Sequence, residues 1–160
     1  MRILGIDPGL INTGYGVVDV AAGKVKVIEA GVIQPNTKDN FERRIAKVHT
    51  HITGILATHK PDAVVLEKLY THYKHPTTAC ILGHVRGVIC LAVAQHNTPL
   101  IEESVKLTRK ALMGNGNATK QQVQAFIKRM LNIEKAEMML DTSDALALAL
   151  GHAHRLRFKL

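Results

Sequence analysis

The segment MRILGIDPGLINTGYGVVDV constrains the fold more than any other part of the chain. Two apolar runs of strand length flank a glycine-containing turn, and an acid, Asp7, closes the first run. A carboxylate at the end of a buried strand is costly unless it is paired or binds a cation. Asp7 is therefore either the start of a turn or one member of a charged site. Gly5, Gly9 and Gly14 read as turn and close-packing residues rather than a phosphate cradle. The next β-rich run, KVKVIEAGVI, follows GYGVVDV across AAGK, so the first three strands form an antiparallel meander.

Beyond the meander, the hydrophobic period changes. Phe41, Ile45, Val48, Ile52 and Ile55 recur at helical spacing, with Arg43, Arg44, Lys47 and His51 on the other face. Lys60-Pro61-Asp62 ends that helix. Ala63 to Leu66 is an unbroken apolar run, as expected of a central strand buried on both faces. A long helix begins near Pro76 and is apolar nearly all round in its second half, which suits deep burial or a subunit interface. A short strand in TPLIEES, a helix capped by Ser104, a flexible GNGNA break, an amphipathic helix and a closing helix complete the order. The expected architecture is β-β-β-α-β-α-β-α-α-α, an α/β fold with a mixed sheet flanked by helices. At 160 residues and 46% hydrophobic content, one domain over 1–160 is expected.

Four acids fit one site on such a frame. Asp7 ends the first strand and Glu67 follows the apolar run of the fourth. As parallel neighbours, the two strands would bring these side chains about 5 Å apart. Asp141 and Asp144 stand three apart at the start of the last helix, on one face. Acids at a helix start are ordinarily caps or first-turn residues. Here, however, they lead an apolar stretch, DALALALGHA, and like charges packed together repel unless a cation neutralises them. Carboxylates without a thiolate cluster favour a hard ion, Mg²⁺ or Mn²⁺. Two such ions about 3.5–4 Å apart can clamp a phosphodiester. His152 and His154 do not share a helical face, and no zinc site is expected.

Charge points the same way. There are 21 basic and 13 acidic residues, for a net +8. Setting the four acids aside leaves nine against 21, a surplus near +12 suited to nucleic-acid phosphates. Aromatics make up 4% and Trp is absent, which argues against a stacking platform for single strands. The longest apolar-rich stretch, GVICLAVAQ, falls short of the roughly 20 residues of a membrane span. No membrane partner and no signal peptide are expected. Cys80 and Cys90 lie ten residues apart in one helix, about 15 Å, too far to bridge within the chain. A reduced, cytoplasmic protein is expected.

The segments ILGIDPGLINTGYGV, PDAVVLEKLY, LGHVRGVI, GNGNATKQQVQ and DTSDALALALGHA together resemble the RuvC-type Holliday-junction resolvases, the crossover junction endodeoxyribonucleases. The segments run from residue 3 to 153. The resemblance implies a ribonuclease-H-like fold, a homodimer and Mg²⁺-dependent symmetrical nicking of four-way DNA junctions. It also implies products with 5′-phosphate and 3′-hydroxyl ends, and a branch-migration motor as partner. The family's catalytic and metal-binding acids correspond to Asp7, Glu67, Asp141 and Asp144. Its junction-wedging aromatic corresponds to Tyr70, and the lysine of its G-x-G-x-A-x-K motif to Lys120. A lysine usual in the family is Arg109 here, which keeps the charge but not the compact ammonium. Lys106 and Lys110 are further candidates for phosphate contact, and His72 and His75 lie in a loop that could touch DNA.

Three alternatives compete. Short resolvase-like nucleases acting on structured RNA share the early G-x-D-x-G block. GIDPGLINTG also resembles the first phosphate loop of actin-like and sugar-kinase ATPases, though 160 residues leave little room for their second lobe. A non-catalytic junction-binding module would not need the intact acidic quartet. The dimer is expected to pair through the apolar helix from Thr77 to Gln95, where Gly83 and Gly87, four apart, suit close helix contact at a core or a dimer seam.

Overall fold

The computed structural model describes residues 1–9, 11–21, 24–69, 76–135 and 137–157. The strands are β1 (Arg2–Asp7), β2 (Thr13–Ala21), β3 (Lys24–Ile33), β4 (Ala63–Glu67) and β5 (Leu100–Glu103). The helices are α1 (Phe41–His59), α2 (Pro76–Gln95), α3 (Val105–Met113), α4 (Lys120–Met130) and α5 (Leu140–Arg157). This is the expected element order. The sheet runs β3-β2-β1-β4-β5. β1, β2 and β3 pair antiparallel, whereas β4 joins β1 and β5 joins β4 in parallel.

Strand alternation sends side chains to two helical layers. Leu4, Ile6, Val17, Val64 and Leu66 pack with α1 and α2 through Val48, Ile52, Val85 and Ile89. Ile3, Val18 and Val65 face the other way, onto Leu146, Leu148 and Leu150 of α5 and Val123 and Ile127 of α4. The run Ala63 to Leu66 is buried throughout, as a strand covered on both faces must be. α1 stops where Lys60 turns into the left-handed region at φ 45°, its N–H closing on Leu56 O.

α2 corrects the sequence reading. The helix is 20 residues long with a mean hydropathy of 1.6, so by length and composition it reaches the size of a membrane span. The residues ahead of GVICLAVAQ, from Pro76 on, extend the apolar stretch because they join the same helix. Only 28% of this apolar stretch is buried. Leu82, Val85, Arg86, Ile89, Ala92 and Val93 form its inward face. Leu91 is half exposed, and a Cβ added at Gly83 or Gly87 would meet open space. Ile45, His84, Val88 and Leu91 line an open groove of about 380 Å³ along that outer face.

Candidate active site

The site grows out of the ends of β1 and β4. The parallel register pairs Ile6 with Leu66, so Asp7 and Glu67 follow on adjacent strands. Alternation puts both on the α5 side of the sheet, with Gly5, Ile3 and Val65. Asp7 is 7% exposed and shares a hydrogen bond with Glu67.

α5 brings the other two acids. A Cβ on Gly5 would lie 2.0 Å from Ala145 O, and one on Gly14 would lie 2.0 Å from Asp141 O. These two glycines let the backbone of α5 rest directly on β1 and β2. Gly14 pairs with Asp7 across the hairpin, so the same contact sets Asp141 beside Asp7. Asp141 occupies the first turn of α5 rather than its N-cap, and Asp144 lies 6% exposed on the turn above.

A lysine ammonium stands among the acids. Lys120 Nζ lies 2.7 Å from Asp144 Oδ2 and 3.9 Å from Asp7 Oδ2 and Asp141 Oδ1. Lys120 opens α4, where Thr119 and Gln122 form a reciprocal capping box. A cation at a helix N-terminus works against the helix dipole, so its position here reflects the acids in front of it. Burial acts to lower its pKa, but the hydrogen bond and charge of Asp144, with the charges of Asp7 and Asp141, raise it overall. Asp7 is pushed up to about 9, first by burial, then by its hydrogen bond and repulsion with Glu67. Lys120 offsets only part of this.

That imbalance bears on metal binding. Among the described residues no three His, Cys, Asp or Glu side chains are already arranged to hold an ion. The donors are nonetheless all hard oxygens, and the buried Asp7 carboxyl lacks enough positive charge to ionise readily. The residue set fits a hard divalent cation.

The candidate DNA contacts divide into two groups. Lys106 and Lys110 are exposed on α3. Arg109, between them, turns inward: Nη1 donates to Ala118 O at 2.7 Å, and Nη2 lies 3.7 Å from Asp144 Oδ1. Its guanidinium thus ties α3 to the α3–α4 connection and to the acid cluster. Lys120 likewise points at the acids. Tyr70, His72 and His75 lie outside the described residues.

Several polar residues near the site escaped the sequence reading. Asn12 Nδ2 donates to Asp141 Oδ2 at 3.3 Å, and Gln34 donates in turn to Asn12 Oδ1 at 3.1 Å. Arg86, on the inward face of α2, donates to Glu67 O and to Glu102. Glu103 pairs with His152 and Arg155 of α5. Arg86 carried a signal, being the lone charge inside an apolar helix. The others carried none, since their partners are remote in sequence.

A five-stranded mixed sheet in this order, with acids gathered at the ends of its two central parallel strands and on the helix laid across them, defines the ribonuclease-H-like α/β class. Residues 3–152 match the family model described as crossover junction endodeoxyribonuclease RuvC. The RuvC of Rhodopirellula baltica is 40% identical over 151 residues, covering 94% of this chain and 85% of the relative. That of Alkaliphilus metalliredigens is 39% identical over 159 residues, covering 99% and 96%. The solved structure of Thermus thermophilus RuvC superposes with a TM-score of 0.88 at 28% identity, over 99% of this chain and 97% of that one. The same protein in complex with Holliday junction substrate gives 0.88 at 25% identity, over 99% and 96%. The chain belongs to the crossover junction endodeoxyribonuclease RuvC family.

Proposed function

We propose that this protein resolves four-way DNA junctions by hydrolysing phosphodiester bonds in two strands. The observation that carries the reading is the convergence of Asp7, Glu67, Asp141 and Asp144 from β1, β4 and α5 in a chain of this family. Family membership favours a DNA junction over structured RNA.

The four carboxylates are the residues that would hold Mg²⁺, two ions per site, with Mn²⁺ as a substitute. Bound there, the metal would supply an activated water and would neutralise charge on the leaving 3′ oxygen. Lys120 presents an ammonium at the mouth of the cluster, where a phosphate would arrive. Arg109 holds the Ala118 carbonyl, two residues before Lys120, and the Asp144 carboxylate in place. Lys106 and Lys110 meet flanking phosphates. Tyr70 is the aromatic that would enter among junction bases. Hydrolysis leaving 5′-phosphate and 3′-hydroxyl ends gives nicks that a ligase can seal.

Matched cuts in two strands need two sites related by symmetry. A second copy seated on the open apolar face of α2, around Leu91 and the Gly83–Gly87 groove, provides them. This assigns the hydropathy of α2 to a partner helix rather than to a membrane. A branch-migration motor is the further partner, delivering the junction, and the cytoplasm is the compartment.

The test is strand-resolved cleavage of a synthetic junction with Mg²⁺, Mn²⁺ or Ca²⁺. Paired symmetrical nicks in Mg²⁺ and Mn²⁺, with binding alone in Ca²⁺, are expected. Asp7→Asn should bind the junction and leave it intact. Preference for structured RNA, or normal cleavage by Asp7→Asn, would overturn the reading.

A further inference from the structure

The carboxyl ends of β4 and β5 are gripped from both faces of the sheet. Leu66 pairs with Glu102 and Glu67 with Glu103, so the two β5 acids point to opposite helical layers. On the α2 side, Arg86 donates one guanidinium nitrogen to Glu102 and another to the carbonyl of Glu67. On the α5 side, His152 Nδ1 lies 3.1 Å from Glu103 Oε1, and Arg155 pairs with the same oxygen. The Glu103 carbonyl also accepts from Lys68 N–H at 2.8 Å, directly after Glu67. Arg86, Glu103 and His152 are each 8% exposed or less.

Buried ion pairs are poor investments in stability, because desolvation consumes most of the Coulomb gain. Here a buried arginine, Arg86, reaches a half-exposed Glu102 on one face, and a buried Glu103–His152 pair lies one residue on, on the other face; both bear on Glu67. Of the four clustered acids, Glu67 is the one whose backbone these groups contact: its carbonyl accepts from Arg86, and the N–H that follows it donates to Glu103 O. Asp141 and Asp144 are fixed by helix α5, and Asp7 by the β1–β2 hairpin. Glu67 is the last residue of its strand. Glu103 poses a second problem: it lies on the same face as Glu67, one strand away, about 4.8 Å between strands. Left unpaired, its carboxylate would repel Glu67 and compete for the same cation.

We propose that Arg86 and the Glu103–His152–Arg155 group are positioning residues, a two-sided clamp that fixes Glu67 and keeps Glu103 out of the metal site. The inference rests on the assignment of Glu67 as a metal ligand. The clamp acts through Glu67 and touches no substrate.

The test combines Mn²⁺ affinity by calorimetry without DNA, junction affinity in Ca²⁺, single-turnover cleavage and melting temperature. Arg86→Met and His152→Leu should weaken Mn²⁺ binding and slow cleavage by about 10–100-fold, the range for residues that orient metal ligands. Junction affinity should stay within about twofold, since phosphate contacts are untouched. His152→Asn, whose amide can stand in for Nδ1–H, should recover most of the loss. Ile52→Val, in the core on the far side of the sheet, is the control for stability alone and should cleave normally. If Arg86→Met fails to fold, the His152 pair and Arg86→Lys carry the test. Wild-type Mn²⁺ affinity and cleavage in folded His152→Leu would overturn the clamp, as would a loss that Asn does not restore. Glu67→Gln separates the two claims: if it cleaves at the wild-type rate, the assignment of Glu67 fails rather than the clamp.

Discussion

At the scale of single residues, the site is a problem in charge. Asp7 is buried against Glu67 and near Asp144, with one ammonium to share. Its carboxyl is held up to about 9 by burial and by Glu67. The folded metal-free protein therefore keeps a proton on Asp7 that the unfolded chain releases near the ordinary carboxylate value of 3.8. Its contribution to stability is full below that value and is lost as pH rises towards about 9. In chelator, the melting temperature of the wild type should fall relative to Asp7→Asn as pH rises through that window. Added Mg²⁺ should narrow the gap. A gap independent of pH would contradict the charge assignment. Tyr15 shows the same physics away from the site: burial and the hydrogen bond to Glu29 push it up to about 12.

At the scale of elements, the decisive contact is α5 on the hairpin. Gly5 and Gly14 are required because helix backbone occupies the space a side chain would take. Gly5→Ala would press a methyl group against Ala145 O, and backbone yields poorly. The expected cost is about 3 kcal/mol, the upper end for overpacking, read as a lower denaturation midpoint. Cleavage should fall with it, because α5 carries Asp141 and Asp144. Gly54 on α1 meets nothing within 4 Å. Gly54→Ala should instead stabilise the protein by about 1 kcal/mol through helix propensity. Equal effects of the two substitutions would mean that α5 does not rest on Gly5 as described.

At the scale of the molecule, a negative centre lies within a positive field. The chain carries +8 overall, and the exposed Lys106 and Lys110 stand on the helix beside the acids. Junction binding should weaken steeply with salt, and replacing both lysines by glutamine should reduce the slope of log affinity against log salt by about 2. An unchanged slope would remove α3 from the DNA interface. The open face of α2 makes a separate prediction. Leu91→Glu should convert the proposed dimer to a monomer in light scattering and abolish paired nicking, with the fold intact by circular dichroism. Wild-type protein that is monomeric at micromolar concentration would count against pairing through α2.

The sequence by itself determined the alternation of elements and the excess of positive charge, and it singled out four acids as candidates for one site. The elements and the charge follow from local pattern and composition: an unbroken apolar run marks Ala63 to Leu66, a period of 3.6 marks α1, and the motifs single out Asp7 and Asp144. Even there, α2 was underestimated, because its apolar length was counted over GVICLAVAQ alone rather than over the whole helix from Pro76. The tertiary structure alone decided which side chains meet. The pairing of β1 with β4 set Asp7 beside Glu67, and the glycine-lined seat of α5 set Asp141 beside Asp7. It turned Arg109 inward, drew Lys120 to Asp144 and closed cations of α2 and α5 on the acids of β5. Most of these contacts join residues distant in sequence, through register and packing, and no local pattern encodes them.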